Sequence, residues 1–139
     1  MPNLLLNLDI EIVLKHDVDQ SNLINGVFIK RLRFMTNRHT SLIHLCVLIA
    51  HRNGLREEEW PNFEFFPCLK DNNVREDRLR KMFISGQLRP FPFRLTILDC
   101  LKICFPGEQT EIPAFTFVYK KKPMPQVTTR NNIVKGLTA

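Results

Sequence analysis

Histidine and cysteine side chains, which are common zinc ligands, are concentrated around one predicted helix. They are His39, His44, Cys46 and His51. On a helix, His44 and His51 lie two turns apart on one face, which separates them by about 10 Å of helix rise. Because a helix presents a chelating pair at a spacing of three or four residues, one ion cannot bridge these two rings unaided. The spacing predicts no metal site, and no motif predicts a cofactor.

A second candidate pair, Cys100 and Cys104, lies in a segment that we predict to be a strand. Four strand residues span about 13 Å, which is too far for a shared ion or for a disulfide. All four cysteines stand beside apolar residues, as buried free thiols do. The N-terminal segment also lacks the basic cluster and cleavage site of a signal peptide. We therefore expect an intracellular, reducing compartment, either the cytoplasm or the nucleus.

Nucleophilic catalysis by Cys46 or Ser41 with a nearby histidine is the next chemistry to consider. A reactive thiol needs an exposed, electropositive position, whereas Cys46 falls among apolar residues in mid-helix. No hydrolase or cysteine-enzyme signature is present. The five glycines are too widely spaced to form a phosphate-binding loop. The sequence thus predicts a protein that is not an enzyme.

Basic residues are the remaining candidates, and they occur in blocks that alternate with acidic ones. Residues 27–56 contain six Lys and Arg and no acid, whereas residues 57–77 contain seven acids. The formal net charge is +6 and the pI is about 9.4. Sets of Arg and Lys bind phosphate backbones without a fixed spacing. The predicted polyanion-binding residues are Lys30, Arg31, Arg33, Arg75, Arg78, Arg80, Lys81, Lys120, Lys121 and Lys122.

These features predict a small basic binding protein that contacts RNA or a ribonucleoprotein electrostatically and without sequence specificity. They also suit a viral matrix-like or accessory protein that self-associates and touches anionic membrane. The alternative is an intracellular protein–protein adaptor with incidental basic charge. On that view the basic residues form a solvated face, partly neutralised by the Glu57–Glu59 run.

Alternation of apolar and polar residues predicts strands at 3–15, 93–105 and 112–121, of which the last two form a hairpin. A β-rich segment that follows the turn signal Asn25-Gly26 predicts a further strand at 27–35. Trp60 follows three glutamates and precedes a proline. We interpret it as a loop anchor packed against the body of the protein.

Two helices complete the predicted fold. Residues 41–52 are apolar on nearly all sides and predict a buried central helix. Residues 73–85 predict an amphipathic surface helix with a basic outer ridge. The fold class is α+β, a mostly antiparallel sheet packed on one buried helix and one surface helix. We expect residues 1–122 to form a single compact domain and 123–139 a mobile tail.

Overall fold

Six strands and three α-helices make up the part of the chain that a computed structural model describes, residues 8–17 and 29–122. The strands are β1 (Asp9–His16), β2 (Arg31–Asn37), β3 (Phe63–Pro67), β4 (Phe83–Ile84), β5 (Gln87–Leu88) and β6 (Ala114–Lys121). The helices are α1 (Leu42–Arg52), α2 (Leu69–Asn72) and α3 (Ile97–Cys104). Short 3₁₀ helices connect them at Glu57–Asn62, Glu76–Met82 and Gln109–Glu111.

Four of the strands form the main sheet in the order β2-β1-β6-β3. β1 pairs antiparallel with β2 and parallel with β6, and β3 pairs antiparallel with β6. β4 and β5 form a separate two-stranded hairpin. The predicted α+β class and the mostly antiparallel sheet are confirmed.

The hydrophobic core joins one face of the main sheet to α1 and α3. The sheet supplies alternate residues, because successive strand side chains point to opposite faces. These residues are Ile10, Ile12, Leu14, Phe63, Phe65, Phe115, Phe117 and Tyr119. The opposite face of the sheet carries charged side chains, including those of Arg31 and Arg33, together with apolar ones such as Val13 and Met35.

α1 begins where the sequence predicts, because Ser41 caps it. The Ser41 Oγ accepts a hydrogen bond from the backbone N–H of His44 (3.2 Å). Leu45 and Ile49 are buried on the side that faces the sheet core, whereas Ile43 is 37% exposed. The prediction that this helix is buried on all sides is therefore not confirmed.

The predicted amphipathic α-helix at 73–85 is wrong. Asn73 adopts a left-handed conformation (φ 54°) and terminates α2, as Asn can do at low cost. The following 3₁₀ helix is interrupted by non-helical angles at Leu79. Ser85 and Gly86 both have positive φ and form the turn of the β4–β5 hairpin. Gly86 therefore closes a hairpin and does not end a helix.

The predicted strand at 93–105 is also wrong, because this segment contains α3. Thr96 and Asp99 form a reciprocal capping box: the Thr96 Oγ1 accepts from the Asp99 N–H (3.1 Å), and the Asp99 carboxylate accepts from the Thr96 N–H (2.9 Å). The buried residues follow at helical spacing; they are Ile97, Cys100, Leu101 and Cys104. The predicted hairpin with 112–121 is consequently absent, and β6 pairs with β1 and β3 instead.

The other three predicted strands are present with shifted ends. The 112–121 strand is observed as β6, and the 3–15 and 27–35 strands are observed in part as β1 and β2, which pair with each other. The remainder of those two predictions lies outside the described residues, as does the predicted tail at 123–139.

Candidate polyanion-binding surfaces

Three cations lie close together on the face of the main sheet opposite the core, and we call Lys15, Arg31 and Arg33 the sheet-face cluster. Lys15 and Arg31 are direct partners in the β1–β2 register. Two carboxylates neutralise the cluster. The Lys15 Nζ lies 2.9 Å and the Arg31 Nη2 4.0 Å from the Asp71 Oδ2, and the Arg33 Nε lies 3.3 Å from a carboxylate oxygen of Glu11. The cluster therefore offers an approaching phosphate less net positive charge than its three cations alone would.

The position of Asp71 is fixed by its neighbour in α2. The Asn72 amide nitrogen donates to the Thr116 C=O (2.7 Å), and its oxygen accepts from the Thr116 N–H (2.8 Å). This side chain thus continues the pairing of β6 beyond the end of β3. The hydrogen bond from Lys15 is the main cause that holds the pKa of Asp71 below its ordinary value. Asp71 is therefore an ionised partner of the cluster at neutral pH.

The predicted Lys120, Lys121 and Lys122 cluster is dispersed by the geometry of β6. Lys120 and Lys121 are adjacent in β6 and point to opposite faces, whereas Lys122 follows the end of the strand, so the three ammonium groups have different surroundings. Lys120 and Lys122 lie over aromatic rings, at 4.7 Å and 5.8 Å from the ring centroids. Lys121 lies 3.3 Å from a carboxylate oxygen. The ring under Lys120 is that of Phe66, and the ring under Lys122 is that of Phe93. The carboxylate beside Lys121 belongs to Glu59.

The predicted basic ridge at residues 75–81 is divided in the same way. The Arg75 guanidinium lies 2.6 Å from a carboxylate oxygen of Asp77, and the Arg78 guanidinium lies 3.9 Å from one of Glu108. The hydrogen bond from Arg75 is the main cause that lowers the pKa of Asp77. The first half of the ridge is therefore paired with acids.

A different group of three cations flanks the β4–β5 hairpin, and we call Arg80, Lys81 and Arg89 the hairpin patch. The Arg89 N–H donates to the Met82 C=O (2.7 Å), which extends the β4–β5 ladder by one step. This bond places the backbone of Arg89 across from that of Met82, the residue that follows Lys81 in the chain. All three patch residues are exposed, and none forms an ion pair with an acid in residues 8–17 or 29–122. Ile84 in the same hairpin is 53% exposed.

The ten predicted residues therefore fall into three groups. Five are ion-paired: Arg31, Arg33, Arg75, Arg78 and Lys121. Two lie over rings: Lys120 and Lys122. Three form no ion pair within the described part of the chain: Lys30, Arg80 and Lys81. The last two are adjacent in the chain, and the different partners of the other residues do not gather the ten into one surface.

Two cations of these surfaces, Lys15 and Arg89, are not among the predicted residues. A signal for Arg89 exists, because residues 78–98 contain five basic residues and no acid. Lys15 stands alone in an acidic block, so no local pattern indicates it. Its place in the cluster depends on the pairing of β1 with β2.

Three of the four thiols, those of Cys46, Cys100 and Cys104, are buried in environments that disfavour chemistry at neutral pH. Burial raises the pKa of Cys46 and of Cys104 to about 12, and it raises the pKa of Cys100 as well, so these groups stay protonated. Cys100 and Cys104 are one helical turn apart, with about 6 Å of rise between them, so the predicted separation of about 13 Å is wrong. Across the described ranges, no group of three or more His, Cys, Asp and Glu is arranged to hold a metal ion.

Trp60 is half-buried in the 3₁₀ helix at Glu57–Asn62. Its ring packs edge-on against Phe93, with the centroids 5.1 Å apart. Both residues pack on the main core. The interpretation of Trp60 as an anchor is confirmed.

No family model matches the chain, and no curated protein matches its sequence. Among the helices of residues 8–17 and 29–122, none is both long and apolar enough to cross a membrane. The distribution of charge over the described surface is therefore the basis for a functional proposal.

Proposed function

We propose that this chain is a small non-enzymatic protein that binds RNA or a ribonucleoprotein electrostatically, and that the hairpin patch makes the principal contacts. The observation that carries the proposal is that Arg80, Lys81 and Arg89 are all exposed beside one short hairpin and have no ion-paired acid within residues 8–17 and 29–122. When these cations neutralise phosphates of an RNA backbone, counterions condensed on the RNA are released, and this release strengthens binding. A phosphate that meets the sheet-face cluster gains less, because the charges of Asp71 and Glu11 offset part of the attraction.

The hairpin is short, which decides which groups would contact a phosphate backbone. β4 and β5 contribute only two residues each and are joined by a tight turn at Ser85 and Gly86, so the flanking cations, and not the length of the hairpin, would make the contacts to phosphates. Charged contacts to phosphates position a protein but carry no sequence information. We therefore expect little preference among RNA sequences.

An anionic membrane is a second candidate for the same patch. Ile84 is an exposed apolar side chain on the hairpin whose base carries the three cations, and apolar residues beside cations favour the headgroup region of anionic bilayers. Self-association of a viral matrix-like kind, together with an intracellular, reducing location, stays a prediction. The competing proposal is a protein–protein adaptor, for which binding would depend weakly on salt.

The test compares two triple-alanine variants that lose the same charge. One replaces the hairpin patch, and the other replaces the sheet-face cluster. We expect wild-type protein to bind a labelled 20-nucleotide single-stranded RNA tightly at 50 mM salt and much more weakly at 200 mM. We expect the hairpin variant to lose on the order of tenfold in affinity, since each phosphate contact contributes separately. The sheet-face variant should lose less than about threefold, because its cations are already paired.

Circular dichroism and light scattering on the same samples establish that both variants are folded and monodisperse. Equal losses in the two variants would mean that net charge alone matters and would contradict the role of the hairpin. A folded wild type that ignores RNA but binds phosphatidylserine vesicles would select the membrane candidate. Binding to neither would overturn the polyanion proposal in favour of the adaptor.

A further inference from the structure

β2 lies at an edge of the main sheet, and its hydrogen-bonding pattern shows which backbone groups face outward. At one end of the β1–β2 ladder the His16 N–H donates to the Lys30 C=O (2.9 Å). At the other end the Arg38 N–H donates to the Leu8 C=O (2.7 Å). Hydrogen-bonded positions alternate along an antiparallel pair. The odd-numbered residues of β2 therefore point their N–H and C=O groups away from β1.

Three successive odd positions, Arg31, Arg33 and Met35, present this open edge. Within the described ranges no other strand pairs with it. The next odd position ends the edge, because the Asn37 C=O accepts from the Thr40 N–H (3.0 Å). The three side chains are also accessible: those of Arg31 and Arg33 are 57% and 63% exposed, and Met35 is 62% exposed.

The opposite edge of the sheet differs. β3 is shorter and ends in Pro67, and a proline protects an edge strand from further pairing. The Phe91 N–H also donates to the Phe65 C=O (2.9 Å), which covers part of that edge with another chain segment. β2 is therefore the edge of the sheet that offers a continuous row of backbone groups.

We propose that the β2 edge binds an extended acidic segment of a partner protein as an additional strand. Strand addition takes its affinity from main-chain hydrogen bonds and its specificity from alternate side chains. Residues opposite each other across a strand pair have their Cβ atoms about 5 Å apart. Acidic residues at alternate positions would thus lie opposite Arg31 and Arg33, and an apolar residue would lie opposite Met35. In the antiparallel orientation the segment reads apolar-x-acid-x-acid from its N-terminus.

Charge distinguishes this occupant from a second copy of the chain. Antiparallel pairing of two β2 strands would bring arginines of one copy close to arginines of the other, and like charges across strands are destabilising. The present partners of the two arginines are replaceable. The Arg33–Glu11 pair is exposed and the Arg31–Asp71 contact is long, at 4.0 Å, and such surface pairs contribute little.

The proposal is independent of RNA binding and is tested with synthetic peptides. The probe is the blocked, fluorescently labelled peptide Thr-Val-Thr-Glu-Thr-Glu-Thr-Thr, whose glutamates alternate. One control peptide carries lysines in place of the glutamates. A second control, Thr-Val-Thr-Thr-Glu-Glu-Thr-Thr, has the same composition with adjacent glutamates that would face opposite sides of a strand. We expect fluorescence anisotropy to show at least tenfold tighter binding of the alternating peptide than of either control.

Two variants separate the backbone and charge contributions. Met35→Pro removes one outward-facing N–H without removing a β1–β2 hydrogen bond, so it should reduce binding at least tenfold while the protein stays folded. Arg31→Glu combined with Arg33→Glu should transfer the preference to the lysine peptide. If Met35→Pro fails to fold, the peptide preference of the double arginine variant still tests the proposal. The hairpin triple-alanine variant serves as a control and should bind the peptide as the wild type does.

Equal affinity for the alternating and adjacent glutamate peptides would show that the attraction is general electrostatics and would overturn the proposal. An absence of binding to all three peptides would overturn it as well. Arg31 and Arg33 would then serve only to protect an edge strand from aggregation, as exposed charges on edges do. The Met35→Pro variant and the double arginine variant leave the hairpin patch intact. Failure of the peptide experiment would therefore not affect the RNA experiment.

Discussion

The sheet-face cluster and the hairpin patch each contain three cations, yet their surroundings differ. Asp71 and Glu11 lie within 4.0 Å of the sheet-face cations. No acid of residues 8–17 or 29–122 is ion-paired with a hairpin cation. Net charge along a sequence block is therefore a poor guide to the charge that a partner meets, because tertiary contacts decide which cations are neutralised.

The reason for the difference is the separation in sequence of the interacting groups. The sheet brings Lys15 together with Asp71, 56 residues away. The hairpin is a local element, and its cations come from an acid-free stretch at residues 78–98. A local element keeps the charge of its own sequence, whereas a sheet combines the charges of distant segments.

The largest effect is expected from charge placed in the core that holds both surfaces in position. Leu45→Asp should unfold the domain, because Leu45 is only 1% exposed and an unpaired buried charge costs several kcal/mol. Ile43→Asp on the exposed side of the same helix should change the free energy of unfolding by about 0.5 kcal/mol or less. Circular dichroism during urea titration measures both variants. A stable, monomeric Leu45→Asp protein would show that α1 is not part of the core.

A smaller effect is expected at the start of α3, which contacts the 3₁₀ helix that carries Arg80 and Lys81. Thr96→Ala removes the acceptor of the capping box and should lower the free energy of unfolding by about 1 kcal/mol. Thr110→Ala, at an exposed position in another 3₁₀ helix, is the matched control. Thermal or urea unfolding that is identical for both variants would contradict the stabilising role assigned to the cap.

The smallest effect is a gain of function at the sheet. Asp71→Asn removes the carboxylate shared by Lys15 and Arg31, which should make the sheet-face cluster more like the hairpin patch. We expect RNA affinity at low salt to rise about twofold to threefold, in line with the small energy of an exposed ion pair. Glu111→Gln makes the same charge change at an exposed residue. Equal gains in the two variants would indicate that net charge, and not release of the paired cations, controls binding.

Local patterns predict some elements of this fold well and others poorly. The cap at Ser41 and the alternation around Phe115 and Phe117 predict α1 and β6. α3 is mistaken for a strand because alternating apolar residues before it, from Phe91 to Ile97, continue into the helix. The spacing of Thr96 and Asp99 is a local helix-start signal, so this element could have been predicted from the sequence.

The candidate surfaces are harder to predict than the elements. The separation of Lys120 from Lys121 follows from strand geometry and could have been anticipated, whereas the contact of Lys122 with Phe93 depends on tertiary packing. The neutralisation of Arg31 by Asp71 could not, because it depends on the β1–β2 register and on the placement of α2. Long-range pairing of this kind has no signal in either segment.

The most direct test of the central claim is the salt dependence of RNA binding for the wild type and the two triple-alanine variants. The logarithm of the affinity is measured against the logarithm of the salt concentration, and each cation in contact with single-stranded nucleic acid contributes about 0.7 to the slope. We predict that removal of the hairpin patch lowers the slope by about 2, whereas removal of the sheet-face cluster lowers it by less than about 0.7. Equal reductions in the two variants, or a wild-type slope near zero, would contradict the assignment of RNA binding to the hairpin.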